Sequence, residues 1–413
     1  MISTVIAKPT KLCNADCLYC STPPDGKGKW SLDDFKRYFD DLAPKMSGQA
    51  VWLWHGGEPM LMGPDFYHRA YEHARQALPQ IRFSMQSNIL GYSTGRWKEL
   101  LETVFKRSIS SSYDPDEINR TMKGSATRFH KIFFQKLDLM LADGFRPSVI
   151  GTYTEESAAL GVELYERSKA QGNAAFSLRF NYRYPVGRAY GEGEAISPQT
   201  YGQMLLDVYN RWIVDNPPFM ITPLDEMLGK VIGTEGSRCP WTNSCGGRFL
   251  SIDPDGSVYN CAEFGSLGAS LVEEGLVDPY KYGNLNGQTV EELLASPAAS
   301  DMRRRRVDVP QTCRTCRHFN ECEGGCARDS ALYGRGMGGK FYYCESWIMV
   351  FDRIKESVLS GEADVVIREK FKRDPDVVRA AISGASPPEH QGAIRVVSFL
   401  RKPKGSAQET VHV

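Results

Sequence analysis

Three cysteines within eight residues, Cys13-Asn14-Ala15-Asp16-Cys17-Leu18-Tyr19-Cys20, constrain this chain more than any other stretch. The C-x3-C-x2-C spacing gathers three thiols on one tight loop, with Tyr19 immediately before the last. Three is one short of the four thiolates that close a cubane or a structural zinc site. A cluster iron held by three cysteines keeps an open position that a small chelating molecule can fill. The alternatives are a zinc knuckle short of one ligand, or three buried structural cysteines.

The chain has 413 residues, enough for two or three domains with cores of their own. Lys plus Arg balances Asp plus Glu, 50 against 50, so no global charge draws it to nucleic acid or to an anionic membrane. No stretch reaches the length of a transmembrane helix, and Met1 to Lys8 lacks a basic head followed by a long apolar run. No nucleic acid, membrane or export signal is therefore expected. Eleven cysteines, an odd number in tight spacings, favour metal ligation over a disulfide framework. Oxygen-sensitive clusters need a reducing interior, so the expected location is the cytoplasm.

The first half alternates between two periodicities. Met1 to Lys8 reads as a short strand leading to the cysteine loop. Ser31, with Asp34 three residues on, caps a helix carrying Leu32, Phe35, Tyr38, Phe39 and Leu42 on one face. Strand Ala50–Trp54 ends in His55-Gly56-Gly57-Glu58-Pro59; strand Ile81–Gln86 ends at Ser87-Asn88; strand Ser108–Ser112 ends at Tyr113-Asp114. Helices follow each, and further strands are predicted at Pro147–Tyr153 and Ala175–Tyr182. About six strand–helix units are too few for a closed eightfold barrel, so the expectation is α/β, an open partial (β/α)6 TIM-like barrel. Its polar clusters stand at the carboxyl ends of the strands, where such folds collect their chemistry.

In the turn after the second strand, Gly56 and Gly57 permit a close backbone approach, and Glu58 offers a carboxylate to an ammonium group. Alone, such a turn is also an ordinary strand-to-helix connector. Downstream of a C-x3-C-x2-C loop with an embedded tyrosine, this GGEP motif resembles the radical S-adenosylmethionine (SAM) superfamily. The resemblance implies a [4Fe-4S] cluster on Cys13, Cys17 and Cys20, whose open iron takes the amino and carboxylate groups of SAM. It implies SAM contacts from Tyr19, Gly56, Gly57, Glu58 and Pro59. Gln86-Ser87-Asn88 matches the family's strand ending in a Thr-Asn pair, which adds Asn88. Ser112-Tyr113-Asp114 and Arg120 resemble its Ser-x-Asp…Arg element, with Arg128 as the alternative arginine. Strand-end caps and surface charges are the plainer account of these residues.

Eight further cysteines follow: Cys239, Cys245, Cys261, Cys313, Cys316, Cys322, Cys326 and Cys344. With the first three they exhaust the eleven, which is what two additional four-ligand sites require. Asp253-Pro254-Asp255-Gly256 predicts a hairpin turn between two short strands. This half resembles the SPASM domain, a small cysteine-rich α+β domain that carries auxiliary clusters in peptide-modifying radical SAM enzymes. The resemblance implies auxiliary cluster I on Cys239, Cys245, Cys261 and Cys326, and cluster II on Cys313, Cys316, Cys322 and Cys344. Three [4Fe-4S] clusters and SAM are thus the expected cofactors; two zinc-ribbon sites are the alternative for this half. The expected domains are 1–230 for the barrel, 231–348 for the SPASM domain, and 349–413 for a helix and a loosely held tail.

Two arginine features remain open. Arg183 and Arg188 close the last barrel strand, either packing against the second domain or meeting a substrate carboxylate. Arg303 to Arg306 reads as a solvated helix end, or as a match for an acidic patch on a peptide.

By resemblance the chain abstracts hydrogen from a substrate with a 5′-deoxyadenosyl radical, an oxidoreductase acting on a peptide or protein side chain. The first expectation is a maturase that installs a carbon–carbon (cyclophane) or thioether crosslink in a ribosomally made precursor peptide, on the Trp54–Pro59 wording and the chain length. The alternative is an anaerobic sulfatase-maturing enzyme, which makes formylglycine. That family has an Asp directly after the third cysteine of cluster I as catalytic base; here Ala262 and Glu263 follow Cys261, and Glu263 is the base candidate. A non-catalytic iron–sulfur or zinc protein is the third reading. The expected partners are the precursor peptide and an electron donor such as flavodoxin or ferredoxin. With no extension ahead of the cysteine loop, leader recognition falls to the barrel, the cluster domain or a separate protein.

Overall fold

The computed structural model describes residues 1–24, 28–171, 177–191, 195–234, 236, 239, 245–305 and 307–384. Arg306 and the expected tail beyond 384 lie outside the described residues.

The alternation unfolds as β1 (Ile2–Ala7), α1 (Leu32–Leu42), β2 (Met46–Trp54), α2 (Pro64–Ala77), β3 (Arg82–Gln86), α3 (Thr94–Thr103), β4 (Ile109–Ser112), α4 (Ala126–Ala142), β5 (Ser148–Tyr153), α5 (Gly161–Lys169), β6 (Leu178–Tyr182), α6 (Pro198–Asp215), β7 (Ile221–Thr222) and α7 (Leu224–Val231). Neighbouring strands from β1 to β7 pair in parallel, in chain order, with a helix between each successive pair. The two-residue β7 is too short to leave a periodicity in the sequence. α6 stops at Asn216, whose φ of 43° is left-handed, and Pro217 and Pro218 prevent its continuation.

The core forms where the helices press the sheet. The Ser31–Asp34 capping box starts α1 with both reciprocal bonds made. Phe35 from α1 meets Trp52 edge-on at 5.4 Å, and Tyr67 from α2 meets Trp54 at 5.1 Å. All four side chains are fully buried, and Phe35 contributes about 1.5–3 kcal/mol by leaving water.

The cysteine-rich half continues with β8 (Phe249–Ile252), β9 (Ser257–Tyr259), α8 (Ala262–Glu273), β10 (Gly283–Asn284), α9 (Val290–Ala295), α10 (Pro297–Arg304), α11 (Gln311–Arg314), α12 (Phe319–Cys322), α13 (Ala327–Leu332), α14 (Cys344–Ser360), α15 (Asp364–Lys370) and α16 (Pro375–Ser383). The predicted hairpin is β8–β9, with Gly256 at φ 81°. β8 also pairs in parallel with β1, so among the described residues one ten-stranded sheet runs β10-β9-β8-β1-β2-β3-β4-β5-β6-β7. The architecture is a parallel-stranded partial barrel followed by a smaller cysteine-rich unit.

Candidate functional site

The glycine turn after β2 positions the cysteine loop after β1. Gly57 N–H donates to Thr10 O (2.9 Å) and Glu58 N–H to Leu12 O (2.8 Å). A Cβ on Gly57 would stand 2.3 Å from Leu12 O, and one on Gly56 2.5 Å from Thr10 O. The close approach that the glycines permit is therefore to the chain leading into Cys13. Two other segments brace the loop. Asp16 accepts from Thr121 Oγ1 (2.6 Å) and Gly124 N–H (2.8 Å), while Leu18 N–H donates to Asn119 O (2.8 Å). Arg188 donates through Nη1 to the carbonyls of Asp16 (2.9 Å) and Cys17 (3.0 Å). The packing shown for Arg188 is onto the cysteine loop, not against the second domain as expected.

Glu58 is buried, yet its carboxylate accepts three hydrogen bonds: Met60 N–H and Ser87 Oγ–H on Oε1, Asn88 N–H on Oε2, each 2.8 Å. Burial pushes its pKa up to about 7 in spite of them. The bonds join the turn after β2 to the end of β3. They also set Asn88, whose Nδ2 donates to Asn14 Oδ1 (2.7 Å) and lies 3.7 Å from Cys13 Sγ. Pro59 opens a short turn of helix, its carbonyl accepting from Tyr67 OH (2.6 Å).

Asp114, at the end of β4 and fully buried, gathers the next group. Its Oδ2 accepts from Tyr19 OH and lies 2.9 Å from Arg120 Nε; Oδ1 accepts from Thr152 N–H (3.0 Å). The Arg120 guanidinium also sits over the Tyr19 ring at 5.5 Å. Arg128, the alternative, is an exposed residue of α4, so Arg120 is the arginine that joins Asp114. Ser112 Oγ accepts from Gln86 Nε2 (3.0 Å).

All eleven cysteines are free and half-buried. Their electrostatic neighbours sort them into three groups. Cys13 feels Cys17 and Cys20. Cys245, Cys261 and Cys326 each feel Cys239. Cys322 feels Cys344, Cys313 and Cys316. Burial pushes Cys13, Cys245 and Cys322 up to about 12, and their neighbours within each group add to it. Such packing disfavours thiolates until a cationic group relieves it, which is the chemistry of an iron–sulfur donor set. Among the described residues, no three His, Cys, Asp or Glu side chains close in on a single metal ion.

Glu263 lies beside this second half. Its Oε2 is 2.6 Å from Cys261 Sγ and 3.3 Å from Arg328 Nη1. Burial works to raise its pKa, but the Arg328 guanidinium and the Cys261 contact prevail and hold it at about 2. A carboxylate so held is ionised at neutral pH and only weakly basic.

The sequence reading missed Arg328 and Asp329, directly after Cys326-Ala327. Arg328 lies over the Tyr184 ring at 4.2 Å and grips the fully buried Asp329 (Nη2–Oδ1 2.8 Å). Asp329 Oδ2 accepts from Tyr182 OH (2.5 Å), tying α13 to the end of β6. An adjacent Arg-Asp pair behind the last cysteine of a C-x3-C was the available signal. His55 was passed over as well; burial, with Lys8 adding to it, lowers its pKa to about 4, and its Nδ1 accepts from Gly56 N–H (2.8 Å).

The fold has likenesses among known proteins. The SPASM iron–sulfur cluster-binding domain matches residues 239–317. The chain is similar to the serine-type anaerobic sulfatase-maturating enzyme of Klebsiella aerogenes, 22% identical over 82% of this chain and 83% of the relative. It is similar to the cysteine-type enzyme of Clostridium perfringens (strain 13 / Type A), 24% identical over 85% of this chain and 95% of the relative. Native anSMEcpe with bound AdoMet superposes with a TM-score of 0.72 at 21% identity, over 88% of this chain and 99% of that one. Streptococcus suis SuiB bound to S-adenosylmethionine gives 0.57 at 13%, over 83% and 77%.

Barrel, cysteine loop and domain match together define a radical SAM enzyme with a SPASM domain. Within that class the chain is more similar to the sulfatase-maturating enzymes than to SuiB. The expected ranking, with a crosslinking maturase first, is not the one these likenesses favour. No described helix is long and apolar enough to cross a membrane.

Proposed function

We propose that this chain modifies a side chain of a peptide or protein partner by hydrogen abstraction, and that the modification is oxidation of a Cys or Ser to formylglycine. The observation that carries the radical chemistry is the sorting of eleven thiols into one group of three and two of four. We assign Cys13, Cys17 and Cys20 to the SAM-binding cluster. Cys239, Cys245, Cys261 and Cys326 then hold auxiliary cluster I, and Cys313, Cys316, Cys322 and Cys344 cluster II. When bound, these clusters and SAM supply one-electron, hydrogen-abstracting chemistry that side chains cannot. The domain limits proposed are 1–230, 231–348 and 349–413.

The protein's own part is placement. Glu58 and Asn88 set the floor beside Cys13, and Asp114 fixes Tyr19 and Arg120 behind the loop. These residues, with Gly56, Gly57, Pro59 and Ser112, are the proposed SAM contacts. A peptide partner is supported by two neighbours solved with peptides, anSMEcpe with the Kp18Cys peptide and SuiB with its precursor SuiA. A small redox protein as electron donor and a cytoplasmic setting complete the proposal.

Formylglycine formation is supported by likeness over most of both chains. One observation favours crosslinking instead: Ala262 leaves no carboxylate directly after Cys261, and Glu263 is tied to Arg328. The test begins with anaerobic reconstitution of the wild type and of a Cys13, Cys17 and Cys20 triple-alanine variant. About twelve irons falling to about eight, with SAM cleavage lost, support the three-cluster reading. Cys- and Ser-containing sulfatase peptides, and candidate precursor peptides, are then offered to the wild type. An aldehyde trapped by a hydrazide supports formylglycine. Loss of hydrogen without an aldehyde, in a product that resists fragmentation between two side chains, establishes the crosslink. Zinc in place of iron and no SAM cleavage refute both.

A further inference from the structure

Arg303, Arg304 and Arg305 end α10, and the first two behave as a solvated helix end should. Arg303 donates to Leu294 O and Ser300 Oγ, Arg304 pairs with Asp301, and both are exposed. Arg305 does not fit that expectation: it is only 7% exposed. Its Nη2 donates to Gly324 O (2.7 Å), a carbonyl in the loop between Cys322 and Cys326. Its Nη1 is buried and makes no hydrogen bond. Among the described residues no carboxylate pairs with it, and the ionisable groups that act on it are the thiols of Cys313, Cys326, Cys322 and Cys245, which become anionic when they ligate a metal. Two of these belong to each group of four thiols.

We infer that the Arg305 guanidinium is a positive charge shared by the two auxiliary clusters, raising the reduction potential of both. This rests on the cluster assignment proposed above. A buried guanidinium with one arm unsatisfied is costly unless anions surround it, and a thiolate-ligated cluster on either side supplies them. Reduction adds negative charge, so a nearby cation favours the reduced form, and hydrogen bonds to cluster sulfur act in the same sense.

The test uses the full chain with Cys13, Cys17 and Cys20 replaced by alanine, so that only auxiliary clusters titrate. Iron content and EPR-monitored midpoint potentials are measured for this parent, Arg305→Gln and Arg305→Lys. The expected result is full iron in all three, both midpoints shifted negative in Arg305→Gln, and both close to the parent in Arg305→Lys. Full iron with unmoved midpoints in Arg305→Gln, or a shift in one cluster alone, overturns the inference. Should Arg305→Gln lose its iron, the lysine variant decides. Parental iron and midpoints there support a charge role, whereas iron loss there makes Arg305 a scaffold residue and overturns it. A parent that holds no iron overturns the cluster assignment instead, and the iron count alone tells that failure apart.

Discussion

Glu58 accepts three hydrogen bonds, and burial still lifts its pKa from the usual 4.5 to about 7. The sign follows directly. Between those values the folded chain holds a proton that the unfolded chain has released, so stability falls as pH rises through the interval, by up to about 3 kcal/mol. Glu58→Gln removes that proton uptake and sets an amide against a backbone donor, at a cost of about 1–3 kcal/mol. Urea unfolding of the reduced, iron-free chain at several pH values checks this. The variant should be less stable at pH 5 and show a flatter profile to pH 7; an unchanged slope rejects the assignment to Glu58. The grouping of the cysteines along the chain and the turn that carries Glu58 were legible because spacing and residue type are local. Arg305, Arg328 and Asp329 were not, since a charged residue reads as solvent-facing until the packing around it is known.

At the scale of elements, contact made by the glycine turn outweighs its conformation. Gly57→Ala drives a Cβ against the carbonyls of Leu12 (2.3 Å) and Lys11 (2.4 Å), main-chain atoms that move only with the cysteine loop. The expected outcome is a loss of about 1–3 kcal/mol and of the iron proposed for Cys13, Cys17 and Cys20. Gly95→Ala is the control: it lies in α3 with nothing within 4 Å, and a better helix former there gains up to about 1 kcal/mol. Thermal unfolding and iron analysis of both separate a packing effect from a general intolerance of alanine. The strands, helices and DPDG hairpin of the barrel half were readable because periodicity and turn chemistry are local. β7 escaped by its brevity. The pairing of β8 with β1 escaped because parallel partners so distant in the chain leave no local trace.

The whole molecule is held across its two halves by α14, which begins at Cys344 and lies along α6. Val350, Phe351, Ile354 and Val358 are fully buried, and Tyr209 and Ser357 hydroxyls meet at 2.6 Å. Gly202 of α6 admits this approach, since a Cβ there would stand 2.9 Å from Ser346 Cα. Ile354→Ala should cost about 2–5 kcal/mol in global stability, measured by denaturant unfolding, because a packed apolar seam is emptied. The cysteine loops between Cys313 and Cys326 have no comparable seam: α11 and α12 bury no residue of their own. α11 and α12 are four residues each, too short to persist without tertiary support. Metal binding there is folding energy. Anaerobic removal of iron should therefore raise hydrogen exchange across 311–326, while β1 to β6 and the middle of α14 keep their protection. Equal loss of protection in the barrel would show instead that the clusters hold the whole chain, and that α14 adds no stability of its own.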